Sequence, residues 1–356
     1  MQTIKIKERK IGPGYPTFII AELSGNHHQK FKEAVALIKA AAKAGVDAVK
    51  LQTYTPNTMT IDSTKPWFIV AGKDNPQNWQ GKTLYELYKK AYTPWKWQPK
   101  LKKIAEDLGL ILFSTPFDST SVDFLEKMHV PCYKIASYET TDIPLLKKVA
   151  SCGKPVIISV GFASLGEIKL AVSTLKNNGA KQVAILHCVT AYSNKPDFDK
   201  VNLETIMALR KKFGVVSGFS DNNSGIEIPL YAVAMGASIV EKHFILDRKS
   251  GGPDAQFSIE PDELRKMVTT IRNFEKSKGK IHYGPTDEKE RYNKRFRRSI
   301  FAVADIKKGD KLSAKNIRII RPEFGLKPFF WDKVIDKVAI KDIEQGTPIN
   351  STMFKR

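Results

Sequence analysis

The run Ala234-Met235-Gly236-Ala237-Ser238-Ile239-Val240, continued by Glu241–Asp254 as EKHFILDRKSGGPD, passes from a buried strand into a charged turn. Its apolar half has the length and β-branched content of a strand buried on both faces. Its polar half gathers Glu241, Lys242, His243, Asp247, Arg248 and Asp254 at one strand end, and Gly251-Gly252 lets the backbone bend close to a ligand. A lone histidine after a strand is ordinarily a satisfied core residue. The charge around His243 argues for a site instead.

Working outward, the strand-then-helix pattern recurs along the chain. Segments 17–23, 48–54, 110–117, 132–137, 155–160, 183–189, 216–220 and 238–243 read as strands, each followed by apolar residues at helical spacing. Such alternation requires a parallel sheet, and eight units of this total length point to a (β/α)8 TIM barrel. In that fold the active site lies at the C-terminal ends of the strands. The residues expected there include Glu22, Ser24, Lys50, Gln52, Thr115, Lys134, Ser137, Glu139, Ser159, His187, Thr190, Tyr192, Ser220, Asn222, Glu241 and His243. Lys50 and Lys134 carry the most weight. Each sits inside an apolar strand with no carboxylate neighbour predicted, so an anionic partner is implied.

Composition bounds the alternatives. The 356 residues are 42% hydrophobic, enough for a large core, and carry a formal net charge of +21. No zinc-finger or RNA-recognition signature accompanies the charge, so it is read as attraction for anionic small substrates rather than nucleic-acid binding. A non-catalytic basic binding protein on a barrel scaffold is the remote alternative. Three cysteines, an N-terminus without an apolar signal region and no run of membrane-spanning length lead to the expectation of a reduced cytoplasmic protein off the membrane.

The barrel is expected over residues 1–275, a basic linker over 276–298 and a small β-rich module over 299–356. The module holds an echo: Asp305-Ile306-Lys307-Lys308-Gly309-Asp310-Lys311-Leu312 against Asp342-Ile343-Glu344-Gln345-Gly346-Thr347-Pro348-Ile349. It predicts two similar turn-and-strand units.

Seven short stretches in this order resemble the sialic acid synthase family: AELSGNH (21–27), VKLQT (49–53), FSTPFD (113–118), YKIAS (133–137), GFSD (218–221), EKHF (241–244) and GPD (252–254). Trp79–Trp97, GGPDAQFS (251–258) and FRRSIF (296–301) are similar to its pseudaminic acid synthase branch. The resemblance implies a barrel followed by an antifreeze-like (SAF) domain. It also implies condensation of phosphoenolpyruvate with an amino-sugar aldehyde, 2,4-diacetamido-2,4,6-trideoxy-L-altrose for this branch, to a nine-carbon 2-keto acid. N-acetylneuraminate or legionaminate synthesis is the alternative. By the same resemblance Lys50, Lys134, Thr115, Ser137, Ser159 and Ser220 bind phosphoenolpyruvate, with Thr190 beside them. Glu22 is the candidate general base, Lys134 and His243 share the catalytic centre, and Gln52, Tyr192 and Asp254 lie near the acceptor. A divalent ion, Mn2+ or Mg2+, and a domain-swapped homodimer contributing Arg321 complete the implied picture. The family commonly has Ser-Asp-His at the seventh strand, where this chain has Ser220-Asp221-Asn222. His243 is therefore expected to share a metal with Asn222, at weaker affinity. Other departures are Val160, Phe162, Glu323, Lys96 and Gln98.

Overall fold

β-Branched and aromatic residues cluster between glycine, proline and asparagine breaks, and strands form on those clusters. A computed structural model describes residues 3–72, 79–190, 192 and 196–355. The chain divides into two compact units, Met1–Lys278 and Gly279–Arg356.

The first unit begins with an antiparallel hairpin, β1 (Ile4–Ile6) and β2 (Arg9–Ile11). Eight strands follow: β3 (Phe18–Glu22), β4 (Ala48–Thr53), β5 (Ile111–Pro116), β6 (Tyr133–Ile135), β7 (Val156–Ser159), β8 (Val183–Val189), β9 (Val216–Asp221) and β10 (Ile239–His243). They close into one parallel barrel, β10 pairing with both β3 and β9. The outer ring comprises α1 (Phe31–Ala44), α4 (Gln98–Asp107), α5 (Ser119–Lys127), α6 (Ile143–Ser151), α7 (Leu165–Asn177), α8 (Glu204–Phe213), α9 (Glu227–Ala234) and α10 (Pro261–Lys278). Short α2 (Pro56–Met59) and α3 (Leu84–Ala91) lie in the segment inserted after β4. The TIM-barrel expectation holds.

Alternate residues of each strand face the interior, and their chemistry changes along the barrel axis. At the N-terminal end Phe18, Ile20, Phe113, Ile157, Leu186 and Ile239 pack with Ile4, Ile6 and Ile11 of the hairpin, which stoppers that end. Two residues further along the same faces, Ile20 gives way to Glu22, Ala48 to Lys50, Phe113 to Thr115, Cys132 to Lys134, Ile157 to Ser159 and Ile239 to Glu241. All of these are buried. The outward residues, among them Ile19, Val49, Tyr133 and Ile158, pack on the helix ring.

Two local readings differ from expectation. β6 ends at Ile135 because Ser137–Glu139 turns into a 3-10 helix. Residues 276–278 continue α10, and part of the expected linker forms α11 (Glu288–Asn293).

The second unit holds the exposed α11 and, around a core of Ile300, Ile306, Leu312, Ile317, Ile343 and Ile349, β11 (Ser299–Ala302), β12 (Ile317–Ile320) and α12 (Trp331–Val334). The sequence echo is a structural dyad. Ile306 and Ile343 exchange both backbone hydrogen bonds at 2.8 Å. The Asp305 carboxylate accepts from the Gln345 N–H, and the Asp342 carboxylate accepts from the Lys308 N–H, each at 2.8 Å. Gly309 and Gly346 take matching left-handed turns at φ 99° and 86°. Each copy of the repeat caps the other.

Candidate active site

Parallel register assembles the polar mouth of the barrel. Glu22 lies opposite Lys50 across β3 and β4, His243 opposite Glu22 across β10 and β3, and Glu241 opposite Ser220 across β10 and β9. Lys50 forms an ion pair with Glu22, stands 3.4 Å from Glu241 Oε1 and donates to Thr115 Oγ1 at 3.1 Å. Lys134 Nζ stands 3.5 Å from the same Glu241 oxygen and donates to Ile135 O at 3.2 Å. Ser220 Oγ donates to Glu241 Oε1 at 3.1 Å.

These contacts correct the expectation that the two lysines lack carboxylate neighbours. Barrel closure lays β10 beside β3 and carries Glu241 onto the face that Lys50 and Lys134 share. Compensation remains thin at Lys134, whose only carboxylate among the described ion pairs is at 3.5 Å.

Burial and charge then separate the titrating groups. Burial pushes the Glu22 carboxyl up, and the Glu241 charge adds to that against the pull of Lys50. At Glu241 burial also pushes up, but Lys134 and Lys50 outweigh it and the group ends below its usual range. Burial draws the Lys134 ammonium down despite Glu241. At Lys50 burial acts the same way, and Glu22 with Glu241 overcomes it, leaving the group raised.

Among the described residues, the buried polar atoms with no hydrogen-bond partner include Ser159 Oγ, Glu241 Oε2, His243 Nδ1 and Glu139 Oε2 at this mouth, together with Glu22 Oε2, which is ion-paired with Lys50. Native interiors rarely leave such atoms unmet, so their clustering marks a place for a polar ligand. Ser137 Oγ accepts the Gly161 N–H at 3.1 Å. Gly161 lies so close to Thr190 that an added Cβ would stand 2.5 Å from Thr190 Cγ2. Ser137, Ser159 and Thr190 thus line one side of the cluster, just after β6, at the end of β7 and just after β8.

On the opposite side Gln52 Nε2 donates to Ser24 Oγ at 3.1 Å, and Ser24 Oγ donates to Asp254. Ser24 holds a left-handed φ of 45°, with its N–H on Glu22 Oε1 at 2.9 Å, a costly backbone state of the kind found at functional sites. Burial raises the Asp254 carboxyl, partly offset by Ser24. His243 Nδ1 lies 3.9 Å from Asp254 Oδ2. Tyr192 packs against Trp79 and Phe257, with ring centroids 5.6 and 5.0 Å away.

The metal expectation meets a mixed donor set. Burial, with Lys50 nearby, lowers the His243 pKa to about 3, so its imidazole is neutral and its Nδ1 is open. That is the ligating form. The Asn222 amide donates to Cys188 Sγ at 3.6 Å, which leaves its carbonyl oxygen as the donor. Among the described residues there is no group of three or more His, Cys, Asp or Glu that could hold a metal ion. One imidazole and one amide oxygen fit an open, weakly held hard ion, with further ligands coming from water or substrate.

His187, also read at a strand end, turns away from the mouth and bonds Val201 O at 2.6 Å. Arg321 belongs to the second unit, directly after β12, and is exposed. Glu241, Ser24, Trp79 and Phe257 were not among the residues given roles from sequence. Glu241 had a legible signal, since it shares a strand face with His243. Trp79 and Phe257 are placed only by tertiary packing.

Comparison with known proteins comes down on one group. The model of the NeuB family matches residues 37–283, and that of the SAF domain matches residues 297–355. The chain is 39% identical over 340 residues to a pseudaminic acid synthase of Campylobacter jejuni, covering 95% of this chain and 96% of that one. It is 36% identical over 334 residues to the N,N'-diacetyllegionaminic acid synthase of Campylobacter jejuni, covering 92% and 97%. The crystal structure of an N-acetylneuraminic acid synthetase from Leptospira borgpetersenii, in complex with citrate, superposes with a TM-score of 0.71 at 34% identity. That match covers 82% of this chain and 96% of that one.

Proposed function

The chain belongs to the NeuB family, and from that premise we propose that it condenses phosphoenolpyruvate with the open-chain aldehyde of 2,4-diacetamido-2,4,6-trideoxy-L-altrose. The products are the nine-carbon 2-keto acid pseudaminic acid and phosphate, released by C–O cleavage. One observation carries this reading. Two buried ammonium groups converge on Glu241 amid partnerless Ser159 Oγ and Glu241 Oε2, a mouth built for a small, doubly anionic ligand.

Phosphoenolpyruvate presents a carboxylate and a phosphate. Lys50 and Lys134 neutralise them, and Thr115, Ser137, Ser159 and Ser220 supply neutral hydrogen bonds, with Thr190 alongside. In this dry site such preorganised contacts are worth far more than in water. The enol C3 bonds to the aldehyde carbon as the aldehyde C=O π bond opens and its oxygen takes up a proton. Water adds at the cationic C2, and the C2–O bond to phosphate then breaks as the new C2 hydroxyl gives up its proton to become the ketone. Glu22, whose raised carboxyl makes its anion the stronger base, takes the proton of that water. Glu241 stays ionised beside the two lysines. Gln52, Tyr192 and Asp254 hold the acceptor.

His243 Nδ1 and the Asn222 amide oxygen would hold a divalent ion, Mn2+ or Mg2+. When bound, that ion supplies Lewis-acid polarisation of the aldehyde carbonyl. A homodimer in which one protomer's SAF unit brings Arg321 over its partner's barrel mouth would exclude water from the reactive enol. The reading also places the reaction in the cytoplasm, where phosphoenolpyruvate is available. No helix among the described residues is long and apolar enough to cross a membrane.

The test is phosphate release from phosphoenolpyruvate with a panel of 2-acetamido sugars, with and without Mn2+ or Mg2+. The diacetamido-trideoxy altrose should be turned over best. Preference for N-acetylmannosamine or a legionaminate precursor would replace the acceptor assignment, and release with no sugar in the panel would remove the function.

A further inference from the structure

We propose that Trp79 is a specificity-determining residue, the outer panel of an aromatic wall that selects acceptor sugars bearing a methyl group in place of the terminal hydroxymethyl. The inference rests on the functional reading above and names which end of the acceptor this wall takes.

Four rings run in contact from the inserted segment to the base of the mouth. Trp79 stands 5.6 Å from Tyr192 and 6.4 Å from Phe257. Phe257 stands 5.0 Å from Tyr192 and meets the His243 ring edge-on at 5.0 Å. The wall is anchored as well as stacked, since the Trp79 indole N–H donates to Pro253 O at 2.7 Å, one residue before Asp254. Phe257 is fully buried, while Trp79 and Tyr192 are half-buried and keep ring surface open.

The mouth is therefore polarised. Lys50, Lys134, Thr115, Ser159 and Ser220 make one side rich in ammonium and hydroxyl donors, with Glu22 and Glu241 set among them, matched to phosphoenolpyruvate. Beyond the hydrogen-bonding row of Gln52, Ser24 and Asp254, the other side is apolar and aromatic. A sugar held by that row can meet the rings only with apolar substituents: acetamido methyl groups and a C6 methyl. A C6 hydroxyl against the Trp79 and Phe257 rings loses its water and gains no partner. An added hydroxyl is rejected by an apolar pocket only by about a hundredfold, and a lost methyl contact costs ten- to two-hundredfold. Selection is thus expected to be real but incomplete.

The experiment compares kcat/KM for the diacetamido-trideoxy altrose and for the same sugar carrying a 6-hydroxyl group. Wild type, Trp79→Phe, Trp79→Ala and Trp79→Gln are measured, with thermal unfolding monitored for each. Wild type should favour the deoxy sugar. Trp79→Ala and Trp79→Gln should lower kcat/KM for that sugar by about tenfold or more, chiefly through KM, with a smaller fall for the hydroxylated one, so that the ratio between the two sugars narrows. Trp79→Phe keeps an apolar ring and should retain most of the preference. If Trp79→Ala folds poorly, Trp79→Gln alone decides, because it keeps bulk and removes the ring. An active wild type whose preference survives both substitutions overturns the inference alone. A wild type inactive with both sugars overturns the functional reading and this inference with it.

Discussion

Lys134 Nζ stands 3.5 Å from Glu241 Oε1, both buried at the barrel mouth, too far apart for a close ion pair and too near for independence. Burial already draws the Lys134 ammonium down, so much of its charge compensation has to come with the ligand.

Replacing Lys134 with alanine removes that half of the proposed anion cradle. Phosphate release from phosphoenolpyruvate should fall by about 10³-fold or more. Near-normal kcat/KM in the variant would show that the substrate anion binds elsewhere.

Glu139 supplies a pH prediction. Burial raises its carboxyl to about 7, with Asp142 adding to the rise and Lys134 opposing it. A raised carboxyl pKa means the folded state binds the proton more tightly than the unfolded chain. The stability it contributes is full below pH 4.5 and is lost as pH climbs through about 7. Glu139→Gln cannot ionise, so relative to wild type it should gain stability between those limits, by at most about 3 kcal/mol. Denaturant unfolding at pH 4.5 and pH 8 checks this. An equal gap between the two proteins at both values would mean that Glu139 titrates normally.

Much of this architecture was legible in the chain because its strands are short apolar runs with clear breaks. The limits of β8 were read to the residue, and β4 within one. β6 was read too long, since nothing local marks that Ser137–Glu139 turns into a 3-10 helix. The stoppering hairpin went unread. Its Ile-Lys-Ile alternation spans only a few residues, and no glycine-bearing turn announces it. At the site, residue types at strand ends pointed to the right faces, but partners were harder. That Glu241 would sit between Lys50 and Lys134 follows only once β10 closes against β3. That Trp79 would reach Phe257 depends on how the insertion folds back, which has no period to read.

Asn222 is the departure most open to trial. Its amide N–H is bound to Cys188, which leaves only its carbonyl oxygen for the proposed hard ion, so an imidazole there should strengthen the site. In Asn222→His, Mn2+ bound per chain, measured by equilibrium titration without substrate, should saturate at least about tenfold lower in metal. Identical titrations for the two proteins would place the ion away from this residue.

The SAF unit has its own core and dyad, so removing it should leave the barrel intact. A chain ending at Arg295 should keep a cooperative unfolding transition and native far-ultraviolet dichroism. Its phosphate release should drop by about 10²-fold through loss of Arg321 and of water exclusion. Unchanged kinetics would remove the proposed lid.

The condensation itself is tested most directly with phosphoenolpyruvate carrying oxygen-18 at the bridging position, incubated with the enzyme, the diacetamido-trideoxy altrose and a divalent ion. C–O cleavage predicts that mass spectrometry finds the label in phosphate beside an unlabelled nine-carbon 2-keto acid. Label retained in the keto acid, or phosphate released with no such acid formed, would contradict the proposed reaction.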